Sequence, residues 1–225
     1  MTQIKPKFNS VINHAGVLPY CIVRDEQDQE KFCFLLGQER PETNWADSLT
    51  YCSFGGKPEP GETIMEAAAR EAYEESMGFL GTEQEILDKL KELDSKGKLM
   101  YFSPEDGKAI TYLLPVVYQP NLPTNFANFY NYVLYACQQM ELKKNKKAKR
   151  GNYLHNFFPK GFFEKVDIIW LIDSDLSKLV KREIRPEQSN LTNLVNNQAV
   201  LCKLRPIFAK TMLELYRKYP QLIGK

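Results

Sequence analysis

Three carboxylates, Glu71, Glu74 and Glu75, fall three and four residues apart in the stretch AAAREAYEESMG. On a helix such positions are neighbours on one face, so the spacing predicts a shared acidic face. Like charges placed this way cost a few tenths of a kcal/mol per pair, and a bound cation would offset that cost. Hard divalent cations such as Mg²⁺ prefer oxygen donors and are held by one or two carboxylates together with substrate phosphates. The pattern therefore suggests metal-assisted phosphate chemistry. A solvated charged face would account for the same residues, with Glu66 four residues before Arg70 and Arg70 four before Glu74.

The surrounding residues supply what such a face needs. Thr63 with Glu66 three residues later forms a capping box, so a helix should begin near Ile64, after the turn residues Pro60 and Gly61. From there to Tyr73 the chain lacks Gly and Pro and is rich in good helix formers. Met65, Ala68, Ala69 and Ala72 make a stripe of mostly small residues that can pack closely on a sheet and aim the acidic face. Upstream, residues 49–54 read as a short strand leading to Gly55-Gly56, a strand-to-helix turn where the backbone can approach a ligand.

Gly56, Glu62, Arg70, Glu71, Ala72, Glu74 and Glu75 are spaced G-x5-E-x7-R-E-U-x-E-E, where U is aliphatic. This resembles the box of the Nudix hydrolases, G-x5-E-x7-R-E-U-x-E-E-x-G-U. Seven positions at the required spacing are far more specific than a lone glycine motif. One departure concerns the last glycine: Met77 stands at its place and Gly78 follows one residue later. The expected consequence is one extra helical residue at the C-cap, leaving the carboxylates untouched.

The resemblance implies a set of roles. Glu71, Glu74 and Glu75 would hold one or more Mg²⁺ or Mn²⁺ ions, with Gly55 or Gly56 adding a backbone carbonyl. Glu62 would assist the metal site and Arg70 would orient a catalytic glutamate, whereas a plain salt bridge would also explain Arg70. Arg makes bidentate contacts that Lys cannot, so Arg70 should not be exchangeable for Lys. Lys57 would add charge near the substrate. The base that activates water would be a box glutamate (Glu74 or Glu75) or one from a later loop, for which Glu164 is the candidate, ahead of Glu105 and Glu141. The strand read at 166–172 contains Trp170 and runs into the acidic start of a helix, which resembles another family element and extends the likeness over most of residues 15–180.

The whole chain is compatible with this. Its 225 residues, 43% hydrophobic and 26% charged, are long enough and ordinary enough in composition for a buried core. A formal charge of +2 implies no general polyanion binding. The five cysteines, Cys21, Cys33, Cys52, Cys137 and Cys202, are odd in number, widely spaced and mostly in apolar runs, which reads as reduced core residues. No zinc spacing appears, and neither His14 nor His155 has a second histidine at ligand spacing. No segment reaches the roughly 20 apolar residues of a membrane span, and the first residues carry no apolar signal core. A soluble cytoplasmic protein without membrane association is expected.

Residues 15–23 and 31–37 should pair as a hairpin, and 99–103 with 109–118 as another. The aromatic and β-branched run 129–137 reads as a strand. Residues 82–96, with Ile86, Leu87, Leu90 and Leu93 in one narrow stripe, read as an accessory surface helix. Pro206, Phe208, Met212, Leu215, Tyr216 and Tyr219 mark a C-terminal amphipathic helix that stops at Pro220 and should pack on the domain's own sheet. The expected fold is α/β: a Nudix-like α/β/α sandwich with a mixed β-sheet and an additional C-terminal helix. It forms one domain over residues 1–225, with a core at about 15–180 and a helical extension at about 181–225.

The expected activity is metal-dependent hydrolysis of the diphosphate linkage in a nucleoside diphosphate derivative, a nucleotide-type small molecule. Two alternatives stand beside it. One is RNA cap or 5′-end hydrolysis, with RNA guided by the basic run between Lys143 and Arg150. The other is a non-catalytic module that binds a nucleotide or a partner, for which the retained Glu62, Glu71, Glu74 and Glu75 are unexpected.

Overall fold

The computed structural model describes residues 12–144, 158–184, 191–192, 199–200 and 202–220. At its centre is a mixed sheet. Strands β1 (His14–Arg24) and β2 (Glu30–Glu39) form an antiparallel hairpin around a charged turn. β3 (Tyr51–Cys52) pairs with β2 and β4 (Phe54–Gly56) with β1, while β5 (Tyr101–Phe102) and β6 (Ala109–Pro115) form the second hairpin. β6 lies parallel to β1, and β7 (Lys165–Ile172) closes on β2 antiparallel.

Side chains alternate across this sheet, and both faces are covered. On one side Val17, Leu35 and Trp170 meet helices α1 (Ile64–Glu75), α2 (Glu83–Ser95) and α3 (Leu122–Lys144). On the other, Leu18, Leu36 and Leu171 meet α4 (Asp173–Ile184) and α5 (Pro206–Lys218). The result is the α/β/α sandwich with a mixed sheet that the box resemblance implies. All five cysteines are buried.

Two elements differ from the sequence reading. The run 129–137, read as a strand, lies in α3. Its buried residues, Leu122, Phe126, Val133 and Cys137, recur at helical spacing, while Tyr132 and Tyr135 face solvent. A central strand would have to bury those tyrosines too, so the wider period overrides the β propensity of the individual residues. In turn, α2 is more than a surface helix: Ile86, Leu87 and Leu90 are buried in the core against α1 and β6.

Met77 is likewise not an extra helical residue. α1 stops at Glu75, Ser76 caps it, and Met77 takes the left-handed conformation with φ 54°. Gly78 N–H donates to the Tyr73 carbonyl at 2.9 Å and Met77 N–H to that of Glu74 at 3.0 Å, the bonding of a Schellman turn. Met77 thus does the backbone work of the missing glycine, at a cost on the order of 1 kcal/mol. Its side chain is 6% exposed in the core, a burial that contributes about 2 kcal/mol. Met77→Gly should therefore lower stability by about 1 kcal/mol in denaturant unfolding, since lost packing exceeds relieved strain. A stabilised variant would show that the strain dominates.

Candidate active site

α1 begins as its capping box dictates: Thr63 Oγ1 accepts from Glu66 N–H at 3.3 Å, and the Glu66 carboxylate accepts from Thr63 N–H at 2.8 Å. Ala67, Ala68, Ala69 and Ala72 are fully buried and bring the helix close to β1 and β4. Arg70 is the hub of the exposed side. Its Nε donates to Glu62 Oε1 at 2.6 Å and its Nη2 to Glu62 Oε2 at 3.2 Å, a bidentate grip. Nη1 donates to Glu71 Oε1 at 2.9 Å and reaches Glu74 Oε2 at 3.5 Å. Nη2 also donates to the Lys57 carbonyl at 3.0 Å, tying the glycine-rich turn to the helix.

Glu71 and Glu74 thus meet on one guanidinium nitrogen. Burial pushes both carboxyls above the usual carboxylate range, with Arg70 opposing the rise. The turn residue Gly56 makes room for this: a Cβ at position 56 would collide with the Glu71 carboxylate. Gly161, in the short 3-10 turn Lys160–Phe163, does the same for Glu74, whose Cβ and Oε2 would each stand 2.8 Å from an added Cβ. Glu164 follows that turn directly, and its charge is among those raising both Glu71 and Glu74.

The third carboxylate, Glu75, points toward the sheet and takes other partners. At the turn per residue of a helix Glu75 lies about 20° from Ala68, on the buried side, whereas Glu74 lies about 100° away from Glu75. Its Oε2 accepts from Gly55 N–H at 2.7 Å and its Oε1 stands 3.2 Å from Lys165 Nζ. Lys165 is 1% exposed and also bonds Glu39 Oε1 at 2.7 Å, with Cys52 Sγ at 3.3 Å. Burial pushes the Glu75 carboxyl up to about 8, opposed by the Lys165 ammonium. Burial alone would lower the Lys165 pKa, but Cys52, Glu75 and Glu39 hold it above the ordinary lysine value. Arg205 extends the network, with Nη1 3.5 Å from Glu39 and Nε donating to Asp47 at 2.9 Å.

Lys165, Glu39, Arg205 and Gly161 are absent from the sequence reading. Lys165 faces inward because the β2 and β7 register shifts between Gln38 and Glu39, setting Glu39 opposite Lys165. No short-range pattern announces that. Lys57 is exposed on the turn, its carbonyl bonded by Arg70. Of the basic run, positions 145–150 lie outside the described residues, as do the side chains of Lys143 and Lys144. Glu105 sits exposed in the turn between β5 and β6.

The donors around Glu71 and Glu74 are all oxygen, which suits Mg²⁺ or Mn²⁺. Among the described residues no three His, Cys, Asp or Glu side chains are grouped to hold an ion by themselves. Two carboxylates with backbone oxygens fit the manner in which Mg²⁺ is bound, where water and substrate phosphates complete the shell.

The NUDIX domain family model matches residues 16–157. The chain belongs to the Nudix family. It is accordingly a Nudix-type pyrophosphohydrolase, of a family that generally acts on nucleoside diphosphate derivatives and uses divalent metal ions. Solved structures similar to this Nudix hydrolase include the Nudix hydrolase RenU from M. smegmatis, at 12% identity over 94% of this chain and 88% of that one, with TM-score 0.44. Another is a mutT/nudix family protein from Listeria innocua, at 10% identity over 95% and 99%, with TM-score 0.39. A C. elegans Ap4A hydrolase in a binary complex matches at 21% identity over 48% and 70%, with TM-score 0.28. No curated protein matches the chain. Among the described residues of this Nudix hydrolase, no helix is long and apolar enough to cross a membrane.

Proposed function

We propose that this Nudix hydrolase splits the diphosphate linkage of a nucleoside diphosphate joined to another group, using Mg²⁺ or Mn²⁺. The observation that carries the reading is the meeting of Glu71 and Glu74 on Arg70, directly beside Gly56. Glu71 and Glu74 would hold the ion with a backbone oxygen of Gly55 or Gly56. When bound, the ion would neutralise phosphate oxygens and the charge that develops at the attacked phosphorus.

The chain's own residues do the rest. Arg70 keeps the two carboxylates together and Glu62 keeps Arg70 in place. Glu75, among the expected ligands, acts from beneath: by accepting from Gly55 N–H it orients the turn whose carbonyls face the substrate. Glu164, placed where its charge reaches both Glu71 and Glu74, takes the proton of the attacking water. Lys57 meets substrate phosphate.

The reading is tested with a panel of sugar nucleotides, ADP-ribose, dinucleoside polyphosphates, nucleoside triphosphates and capped RNA, each with Mg²⁺ and with Mn²⁺. We expect metal-dependent cleavage of a nucleoside diphosphate derivative into two phosphorylated products. Inertness towards every member with both ions would refute it.

A further inference from the structure

The short 3-10 turn Lys160–Phe163 meets α1 at Glu74, and Gly161 is the point of contact. An added Cβ there would stand 2.8 Å from both Cβ and Oε2 of Glu74, closer than side-chain carbons approach. Gly161 lies in a 3-10 conformation that any residue adopts, outside the left-handed region, so the backbone of the turn does not itself call for glycine. Its N–H hydrogen-bonds the Glu74 carboxylate and favours the charged form against burial. Arg70, the other donor to this carboxylate, reaches it only at 3.5 Å. The turn cannot retreat freely. Phe162 packs edge-on against Tyr73, the residue before Glu74, with ring centroids 5.5 Å apart. Phe163 meets Tyr130 of α3 at 6.1 Å, and Phe158 lies against Phe162 and Phe163 at 5.8 and 5.9 Å. Both Phe162 and Phe163 are buried, which pins the turn to α1 and α3 directly after its glycine.

What position 161 requires is therefore the absence of a side chain against Glu74. We propose that Gly161 is a positioning residue of the ion site: from a turn pinned between α1 and α3, its N–H holds the Glu74 carboxylate and its missing side chain leaves that carboxylate its place. An added methyl group forces either the turn off α1 or Glu74 out of position. Both movements break the bond, and Glu74 loses its fixed direction. The inference rests on the hydrolase reading for Glu74 as an ion ligand, but it can be measured without turnover.

The test compares the unaltered chain with Gly161→Ala in Mn²⁺ binding, with unfolding curves confirming that each is folded. Affinity should fall by about 10- to 100-fold, the loss expected when an outer partner of a metal ligand is removed. The rate on the panel member cleaved fastest should fall with it, and raised Mn²⁺ should restore part of that rate. Equal Mn²⁺ affinity in the two proteins would overturn the proposal, and a slower enzyme with unchanged affinity would assign the turn to Glu164 alone. A second measurement needs neither metal nor the Gly161→Ala protein. The Gly161 amide proton, bonded to a carboxylate, should move upfield in amide correlation spectra when Glu74→Gln removes the charge. A resonance that Glu74→Gln leaves in place would overturn the proposal as well. Hydrolysis by the unaltered chain is scored apart: a protein that shows the amide shift and the Mn²⁺ loss but cleaves nothing sinks the hydrolase reading alone, whereas an unaltered chain that binds no Mn²⁺ sinks both.

Discussion

Lys165→Met is expected to lower the melting temperature by roughly 10 °C, because it strands a buried carboxylate without its cation. Lys165 is the ammonium between Glu75 and Glu39, at 3.2 and 2.7 Å, and all three side chains are nearly inaccessible. Removing one partner of a buried pair costs about 3–5 kcal/mol, more than the net contribution of the pair itself, since the desolvated charge remains. Glu39 retains Arg205 at 3.5 Å, so the loss falls on Glu75, left with only the Gly55 N–H. The double variant Lys165→Met, Glu75→Gln should recover most of the stability.

The sign of the pH dependence follows from the same geometry. The Glu75 carboxyl already stands at about 8 against an ordinary 4.5, and loss of Lys165 raises it further. A raised carboxyl pKa withdraws stability as pH rises from the unfolded value through the folded one. The deficit of Lys165→Met should therefore be small near pH 5 and largest above pH 8, measured by thermal unfolding across that range. A variant that melts with the unaltered protein at pH 8 would remove the buried network from the account.

Glu71→Gln and Glu74→Gln should each reduce hydrolysis on the order of 100-fold or more, the loss expected when a group stabilising transition-state charge is removed. Stability should change little. Arg70 keeps both oxygens of Glu62 on its fork, and a neutral amide avoids part of the burial cost that raises these carboxyls. The combination of lost activity with retained unfolding behaviour separates this pair from Lys165, whose loss acts on the fold. Full activity in either variant would take that residue out of the ion site.

What could be read along the chain was local. The capping box of α1, the glycine-rich turn before it, both hairpins and the C-terminal helix follow from spacings of a few residues, and each is present in the structure. The α3 segment misled because its tyrosines and valine favour strands residue by residue, while burial of Leu122, Phe126, Val133 and Cys137 obeys a longer period. Helical spacing brings Glu71, Glu74 and Glu75 together but does not say which of them also turns toward the sheet, as Glu75 does onto Gly55 and Lys165. The stripe of Ala68 and Ala72 held that information. Lys165 was not legible at all: its partner Glu39 is 126 residues away, and a register shift turns the two together.

The central claim is that Glu71 and Glu74 together hold the divalent ion beside the glycine turn. Equilibrium binding of Mn²⁺, followed by the fall in the free-ion paramagnetic resonance signal, tests it most directly. The unaltered protein should bind Mn²⁺ in competition with Mg²⁺, and the double variant Glu71→Gln, Glu74→Gln, folded to the same melting temperature, should not. Equal Mn²⁺ affinity in the two proteins would contradict the account.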